Sequence, residues 1–226
     1  MKRLLLIDNS IGDYYHAVQR LPASDFPIPC DQVNLYAGDA PPDLGRYTHL
    51  IATGCTKSIC RPEPWMDRLK ALLREALERD VNLLAICFSH QMLAQAAAGD
   101  VYARSRSAPE LGWVAQTVLR DDPLLGPQGT VHWGFVSHFD EVSPNLPEDR
   151  AQILLRSDTC AVEAFRVAGK HAWGPQGHFE ESVESGREML RQEVEENPAL
   201  ADYILNGDRP RDTGLWPELL ERFCKL

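Results

Sequence analysis

Short apolar runs alternate with an amphipathic stretch along the first hundred residues. Runs at residues 2–8, 32–36, 47–53 and 81–86 have the length of strands, whereas residues 65–79 place their leucines and alanines on one face of a helix. Strands that alternate with helices are typical of a doubly wound, mostly parallel sheet. The pattern therefore predicts an α/β fold, in which ligands bind beyond the carboxyl ends of the strands.

The middle of the chain follows a different pattern. Residues 113–119, 130–137, 152–155, 161–167 and 171–176 are short strand-like runs separated by Pro, Asp and Gly turns. Such spacing predicts antiparallel hairpins at one edge of the sheet. A helix at 181–196 is expected to close the core, and 22–29 and 40–42 are expected to be surface loops.

The C-terminal stretch carries its own apolar pattern. Leu-Trp-Pro-Glu-Leu-Leu-Glu-Arg-Phe at 215–223 predicts a last helix packed on the domain, with a docking surface for a partner as the alternative. We therefore expect a single domain over residues 1–226, with 197–226 as a C-terminal extension packed on it.

A cysteine lies where the fourth strand is expected to enter a helix. The apolar run 81–86 leads into Cys87, strong helix formers follow at 90–98, and Gly99 is placed to end the helix. A thiol in that turn lies near the free amide hydrogens of the helix, which favour thiolate. Cys87 is thus a candidate nucleophile. The alternative is an inert core cysteine.

A base and an acid occur further along, in Trp-Gly-Pro-Gln-Gly-His-Phe-Glu at 173–180. His178 can accept the thiol proton, and Glu180 can orient the imidazole, which is the general Cys-His-acid arrangement for acyl transfer. Since these partners lie about ninety positions from Cys87, only the fold can join them into a triad.

Five segments resemble those of the class I, triad-type glutamine amidotransferases. Ala-Ile-Cys-Phe-Ser-His-Gln at 85–91 is similar to the Gly-x-Cys-x-Gly-x-Gln elbow, and Gln-Gly-His-Phe-Glu at 176–180 to the Gln-x-His-Pro-Glu segment. Thr-Gly-Cys at 53–55, Glu-Leu-Gly-Trp at 110–113 and Ser-His-Phe-Asp-Glu-Val at 137–142 match three further segments in the same order. The departures are Ala85 and Ser89 at the elbow glycines and Phe179 at the proline.

The resemblance implies a flavodoxin-like fold and a set of roles. Cys87, His178 and Glu180 would be the catalytic triad, forming a γ-glutamyl thioester. The backbone amides expected to form the oxyanion hole are those of Gly54, Cys55 and Phe88. Residues expected to bind the glutamyl group are Gln91, Glu110 and His138. For the last two the alternatives are a surface-loop carboxylate and a packed strand-end histidine.

Three functions stay open at this point. The first is a free-standing amidotransferase subunit, similar to the glutamine-hydrolysing part of GMP synthase, which passes ammonia to a partner synthase. The second is a stand-alone γ-glutamyl peptidase or hydrolase, which Gly177 favours because many family members carry an aromatic residue there. The third is a non-catalytic binding module of the same fold. The expected ligand is glutamine or a γ-glutamyl compound, and a second copy of the chain is an alternative partner.

Composition narrows the choices of partner and compartment. A net charge of −10 over 226 residues disfavours nucleic acid and anionic membrane. The six cysteines show no paired zinc spacing and no signal peptide precedes them, which predicts reduced thiols in the cytoplasm. Phosphate-binding glycine motifs are absent from the sequence, so no cofactor is expected. No metal is expected either, because His90, His138 and His178 lack a supporting Glu-x-x-His pattern.

Overall fold

The computed structural model describes residues 1–11 and 25–226. Within them ten strands form one mixed sheet. The strands are β1 Leu4–Ile7, β2 Cys30–Val33, β3 His49–Ala52, β4 Asn82–Ala85, β5 Ala103–Val118, β6 Val131–Val142, β7 Ala151–Arg156, β8 Ala164–Val167, β9 Ala172–Pro175 and β10 Ile204–Leu205. The α-helices are α1 Pro64–Glu78, α2 Phe88–Ala98, α3 Val183–Glu196 and α4 Trp216–Lys225.

One half of the sheet is parallel, and its strands β1, β3 and β9 are fully buried. Its strands lie in the order β2, β1, β3, β4, β9, all parallel to their neighbours. Alternate residues of β1 pack on opposite faces of the sheet. Leu5 packs in the hydrophobic cluster that contains α1 and α2, and Leu6 packs in the cluster that contains α4. The doubly wound, flavodoxin-like prediction is confirmed.

The other half of the sheet is antiparallel, as predicted for the edge. β8, β7 and β5 follow β9 in antiparallel order, and β6 pairs with β5 along most of its length. β10 adds a parallel edge to β5. Helix α3 covers this half by packing Met189 and Leu190 against Leu111, Trp113 and Phe135.

β9 corrects the sequence-based topology. Residues 171–176 were expected in an edge hairpin, yet β9 pairs antiparallel with β8 on one side and parallel with β4 on the other, where Leu84 lies opposite Trp173. All four of its residues are buried, as a central position in the sheet requires. The carboxyl ends of β4 and β9 therefore meet at one edge of the sheet.

The remaining predicted elements differ only in their ends. β2 begins two residues earlier than the predicted run at 32–36, and the predicted loop at 22–29 lies partly outside the described residues. Helix α4 buries Leu219, Leu220 and Phe223 in the cluster that holds Leu4 and Leu6, so residues 216–225 cover the second face of the sheet. No helix within residues 1–11 and 25–226 is long and apolar enough to cross a membrane.

Gly112 lies in one of the resembling segments, where both the backbone conformation and a neighbouring strand require a glycine. Its φ is +115°, and a Cβ there would press on the carbonyl oxygen of Leu205 and lie 2.9 Å from its nitrogen. We expect Gly112→Ala to lower the free energy of unfolding by more than about 3 kcal/mol, because a strained backbone and a clash with β10 combine. Urea unfolding followed by circular dichroism measures the loss.

Gly169→Ala is the matched control for that change. Gly169 has φ +69° in the turn between β8 and β9, and no atom lies within 4 Å of a Cβ built there. Only backbone strain remains, so its cost should be about 1 kcal/mol. Equal losses in the two variants would show that the contact with β10 does not constrain Gly112.

Candidate active site

Cys87 occupies a sharp turn between β4 and α2. Its φ of 52° and ψ of −108° lie outside the regions that non-glycine residues prefer, and such strain costs about 1–3 kcal/mol. Its backbone N–H donates to the carbonyl of Pro175 at 2.9 Å, which ties the turn to the end of β9. The residue is almost fully buried, and its sulfur lies 3.8 Å from the carbonyl oxygen of Ser137.

Ser89 replaces the second elbow glycine without disrupting the turn. Its hydroxyl donates to the carbonyl of Thr53 at 2.7 Å and accepts a hydrogen bond from the amide of Asn9 at 3.0 Å. Asn9 also donates to the carbonyl of Thr53 at 3.0 Å. The first turn of α2 is thereby held to the ends of β1 and β3, and the serine hydroxyl is fully satisfied in a buried place.

His178 and Glu180 follow β9 and reach the same turn. The backbone N–H of His178 donates to the carbonyl of Phe135 at 2.8 Å, and this isolated bridge fixes the segment against β6. Nδ1 of His178 lies 2.7 Å from Oε1 of Glu180, while the imidazole also hydrogen-bonds the Cys87 side chain. Thiol, imidazole and carboxylate therefore form one continuous chain.

The charges around His178 favour its protonated form. Burial alone would lower the pKa of His178, but the charges of Cys87 and Glu180 and hydrogen bonds to both hold that pKa well above its usual value of 6.5. An imidazolium beside the sulfur can balance a thiolate, the reactive form of cysteine.

Glu181 is a second carboxyl beside the chain, and it differs from Glu180. Burial, followed by the negative charge of Glu180, raises the pKa of Glu181 to about 8, against the opposing effects of His178 and Ser185. At neutral pH Glu181 is consequently protonated for the most part. His178 then faces one charged carboxylate, Glu180, and a neutral neighbour.

Gln176 contacts the nucleophile, although no role was predicted for it. Its side-chain amide donates to the sulfur of Cys87 at 3.5 Å, and its side-chain oxygen accepts from Gln91 at 3.0 Å. Gln91 also donates to the carbonyl of Asp140 at 2.8 Å. The signal was available, because Gln176 opens the segment that resembles Gln-x-His-Pro-Glu.

Two of the three predicted oxyanion residues, Cys55 and Phe88, line the same cavity as Cys87. Phe88 is the first residue of α2, so its N–H has no partner within the helix. Gly54 and Cys55 are in the loop after β3, and Cys55 lines the same cavity as Cys87 and Phe88. Burial raises the pKa of the Cys55 thiol to about 12, so this thiol stays protonated at neutral pH.

A cavity of about 870 Å³ is lined in part by Cys87 and His178. Side chains of both charges line it, so it can receive a charged or zwitterionic ligand. The charged lining residues are Lys57, Arg61, Arg106, Asp140, Glu193 and Glu196. Volumes of this size are at the upper end of those of small-molecule sites, roughly 300–1,000 Å³.

Glu110 is placed differently from the predicted substrate-binding residue. Its carboxyl is buried and does not line the cavity, and its Oε2 lies 2.6 Å from Nε2 of His138. His138 is buried too, although it forms part of the cavity wall. Glu110 therefore contacts His138 without itself lining the cavity, and it cannot reach a ligand there directly. Glu110 is thus neither a residue that lines the cavity, as expected, nor the alternative, a surface-loop carboxylate.

Two other expectations change with the structure. Gly177 does not widen the cavity, because the space a side chain would fill is occupied by Gln116, whose Nε2 would be 2.6 Å from a Cβ. Nδ1 of His90 donates to the backbone carbonyl of Gly174 at 2.7 Å, on β9 beside α2. Burial lowers the pKa of His90 to about 3. The three histidines considered as metal ligands thus have separate partners.

Comparisons with known proteins agree with this geometry. A model of the family described as Glutamine amidotransferase class-I matches residues 59–197. The chain is 32% identical over 200 residues to a subunit of the glutamine-hydrolysing GMP synthase from Methanosarcina barkeri, covering 86% of this chain and 97% of that protein. It is 25% identical to γ-glutamyl peptidase 3 from Arabidopsis thaliana, covering 81% and 76% of the two chains.

A solved structure shows the same fold. A glutamine amidotransferase from Thermotoga maritima superimposes with a TM-score of 0.71 at 20% identity, covering 100% of this chain and 99% of that one. The matched region, residues 59–197, contains both the elbow and the histidine segment of the site described above. The chain belongs to the class I glutamine amidotransferase family.

Proposed function

We propose that this protein hydrolyses the side-chain amide of glutamine through Cys87, His178 and Glu180, with a γ-glutamyl thioester as intermediate. The observation that carries the proposal is the continuous hydrogen-bonded chain from sulfur to imidazole to carboxylate on the wall of an open cavity. A chain of this kind is what nucleophilic acyl transfer requires.

The thiolate of Cys87 attacks the amide carbon and forms a carbon–sulfur bond. The resulting oxyanion is held by backbone N–H groups of Phe88 and of Gly54 or Cys55, and loss of one such donor typically costs about 100- to 1,000-fold in rate. His178 gives its proton to the leaving nitrogen, which departs as ammonia. His178 then takes a proton from water, whose oxygen attacks the thioester and releases glutamate.

Gln176 and Gln91 position the reacting groups in this scheme. The Gln176 amide supports the sulfur, and Gln91 connects Gln176 to the backbone of β6 at Asp140. Gln91 also lines the cavity, where it can contact the glutamyl group. His138 contributes to the wall, with Glu110 fixing its ring.

The ammonia acceptor lies on a partner. Relatives named as one subunit of glutamine-hydrolysing GMP synthase suggest a separate synthase chain that receives the ammonia. We also propose that the protein is located in the cytoplasm.

The second candidate function is cleavage of γ-glutamyl peptides by the same triad. The cavity favours it, since about 870 Å³ leaves room beyond a glutamine, and γ-glutamyl peptidases are among the relatives.

Substitution of the triad should separate its members by role. We expect Cys87→Ala and His178→Ala each to reduce kcat by at least about 10⁴-fold and the double variant to lose no more, because the two groups act as a unit. Glu180→Gln should keep measurable turnover, since this residue orients the base. Ammonia release measures kcat. The exposed Cys60→Ala and His171→Ala serve as controls, and near-native turnover by His178→Ala would exclude the proposed base.

The protonation of His178 offers a readout that does not need substrate. By NMR titration, its imidazole should titrate well above 6.5, and Cys87→Ala should lower that pKa, because Cys87 supplies the largest of the raising interactions. A folded-state pKa above the unfolded one stabilises the protein fully below about pH 6.5 and loses the effect as pH rises through the folded value. An unchanged pKa in Cys87→Ala would mean that the two groups do not interact.

A substrate panel distinguishes the two candidate functions. We expect glutamine to have a kcat/KM at least comparable to that of γ-glutamyl-cysteine or glutathione, and we expect it to rise when a synthase partner is added. A peptide kcat/KM more than about tenfold above that for glutamine, or about 1.4 kcal/mol in transition-state binding, would select the peptidase function.

A further inference from the structure

Four buried side chains with metal-binding atoms meet outside the triad. They come from β5, β6 and the connection between β7 and β8, and one ligand atom of each lies within 4.8 Å of the others. The residues are Glu110, His138, Cys160 and Glu163. Each is at most 3% exposed, so the cluster is buried, and of its four residues His138 also forms part of the cavity wall.

Glu163 has no partner in this cluster. Both of its carboxyl oxygens are buried without a hydrogen bond, and the residue is 0% exposed. Burial and the negative charge of Glu110 raise its pKa well above the usual value. The nearest cation, Arg106, lies 3.8 Å from Glu110 and makes its short contact, 2.5 Å, with Glu141 instead. Positive charge therefore reaches Glu110, from Arg106 and from the His138 imidazole when it is protonated, but neither group hydrogen-bonds Glu163.

His138 has the orientation of a ligating histidine. Its Nδ1–H can donate to the carbonyl of Asp140 at 2.9 Å, and its Nε2 lies 2.6 Å from Oε2 of Glu110. Metal-bound histidines are commonly held in this way, with the second nitrogen donating to a carbonyl or carboxylate. A proton on Nε2 satisfies the contact with Glu110 in the metal-free protein, and a metal ion can take the place of that proton.

We propose that Glu110, His138, Cys160 and Glu163 form a closed four-coordinate site for one zinc ion. Zinc prefers sulfur, imidazole nitrogen and carboxylate oxygen in tetrahedral geometry, and its bonds of about 2.0–2.3 Å hold ligand atoms roughly 3.3–3.8 Å apart. The cluster is already within 4.8 Å, and the Glu110–His138 pair must open by less than about 1 Å. Binding releases the protons of the Cys160 thiol and the Glu163 carboxyl.

The ion would act as a structural brace. It would join β5 and β6 to the connection before β8. Ser137, next to His138, offers its carbonyl to the Cys87 sulfur, and the Asp140 carbonyl accepts from both His138 and Gln91. The site has four protein ligands and leaves no open position, as is typical of structural zinc. The hydrolysis proposed above proceeds without it.

The test uses the full chain carrying Cys87→Ala, so that the triad thiol cannot bind the added ion. The protein is stripped of metal and reloaded with Zn²⁺ or Co²⁺. We expect one ion per chain by elemental analysis, a thiolate-to-cobalt charge-transfer band with tetrahedral d–d bands, and a higher Tm with Zn²⁺. Adding Cys160→Ser or Glu163→Gln should weaken Zn²⁺ binding by at least about tenfold.

Matched controls come from buried groups elsewhere. Cys55→Ser removes a cavity thiol and Glu181→Gln a carboxyl beside His178, and both should still bind one ion. Less than one tightly held ion, a cobalt spectrum without a thiolate band, or equal loading of Glu163→Gln would overturn the proposal and identify Glu163 as a protonated carboxylic acid. If a ligand variant does not fold, stoichiometry and the cobalt spectrum of the parent decide.

Discussion

β4 and β9 run parallel side by side, and the geometry of the site follows from this pairing. Cys87 comes directly after β4, and Gln176 and His178 come directly after β9. Parallel neighbours end at the same edge of a sheet, so residues distant in sequence are brought together there. The hydrogen bond from Cys87 N–H to the Pro175 carbonyl continues the pairing into the turn and sets the sulfur beside the imidazole.

The strained turn is maintained by buried hydrogen bonds on every side. The positive φ of Cys87 is unfavourable, yet Ser89, Asn9 and Thr53 join the ends of β1, β3 and α2 around it. In the same region, two neighbouring carboxyl groups differ in their protonation state. Glu180 faces His178 as a charged partner, whereas Glu181 keeps its proton at neutral pH because of burial and the charge of Glu180. The position of Cys87 and the protonation states of the two carboxyl groups are thus determined by the packing of the same region.

Much of this arrangement can be predicted from the sequence, because local patterns carry it. The apolar runs predicted β1, β3 and β4, because strands buried on both faces are apolar at successive positions. The helical periodicity predicted α1, because a helix buried on one face repeats its apolar residues along that face. β9 was misplaced because a short apolar run does not say which strand it pairs with. The positions of Glu110 and Gly177 depend on non-local neighbours, His138 and Gln116, which no periodicity shows. The same holds for the grouping of Cys160 and Glu163 with residues of β5 and β6.

The proposed mechanism requires that Cys87 become covalently bound to the γ-glutamyl group during turnover. Rapid acid quench of the enzyme with glutamine, followed by peptide mass spectrometry, tests this most directly. We expect one γ-glutamyl group on the Cys87 peptide, formed within the first turnover and lost as glutamate is released. More of this adduct should accumulate when Glu180→Gln slows hydrolysis of the thioester. Glutamine turnover with no adduct, or with an adduct on another cysteine, would contradict it.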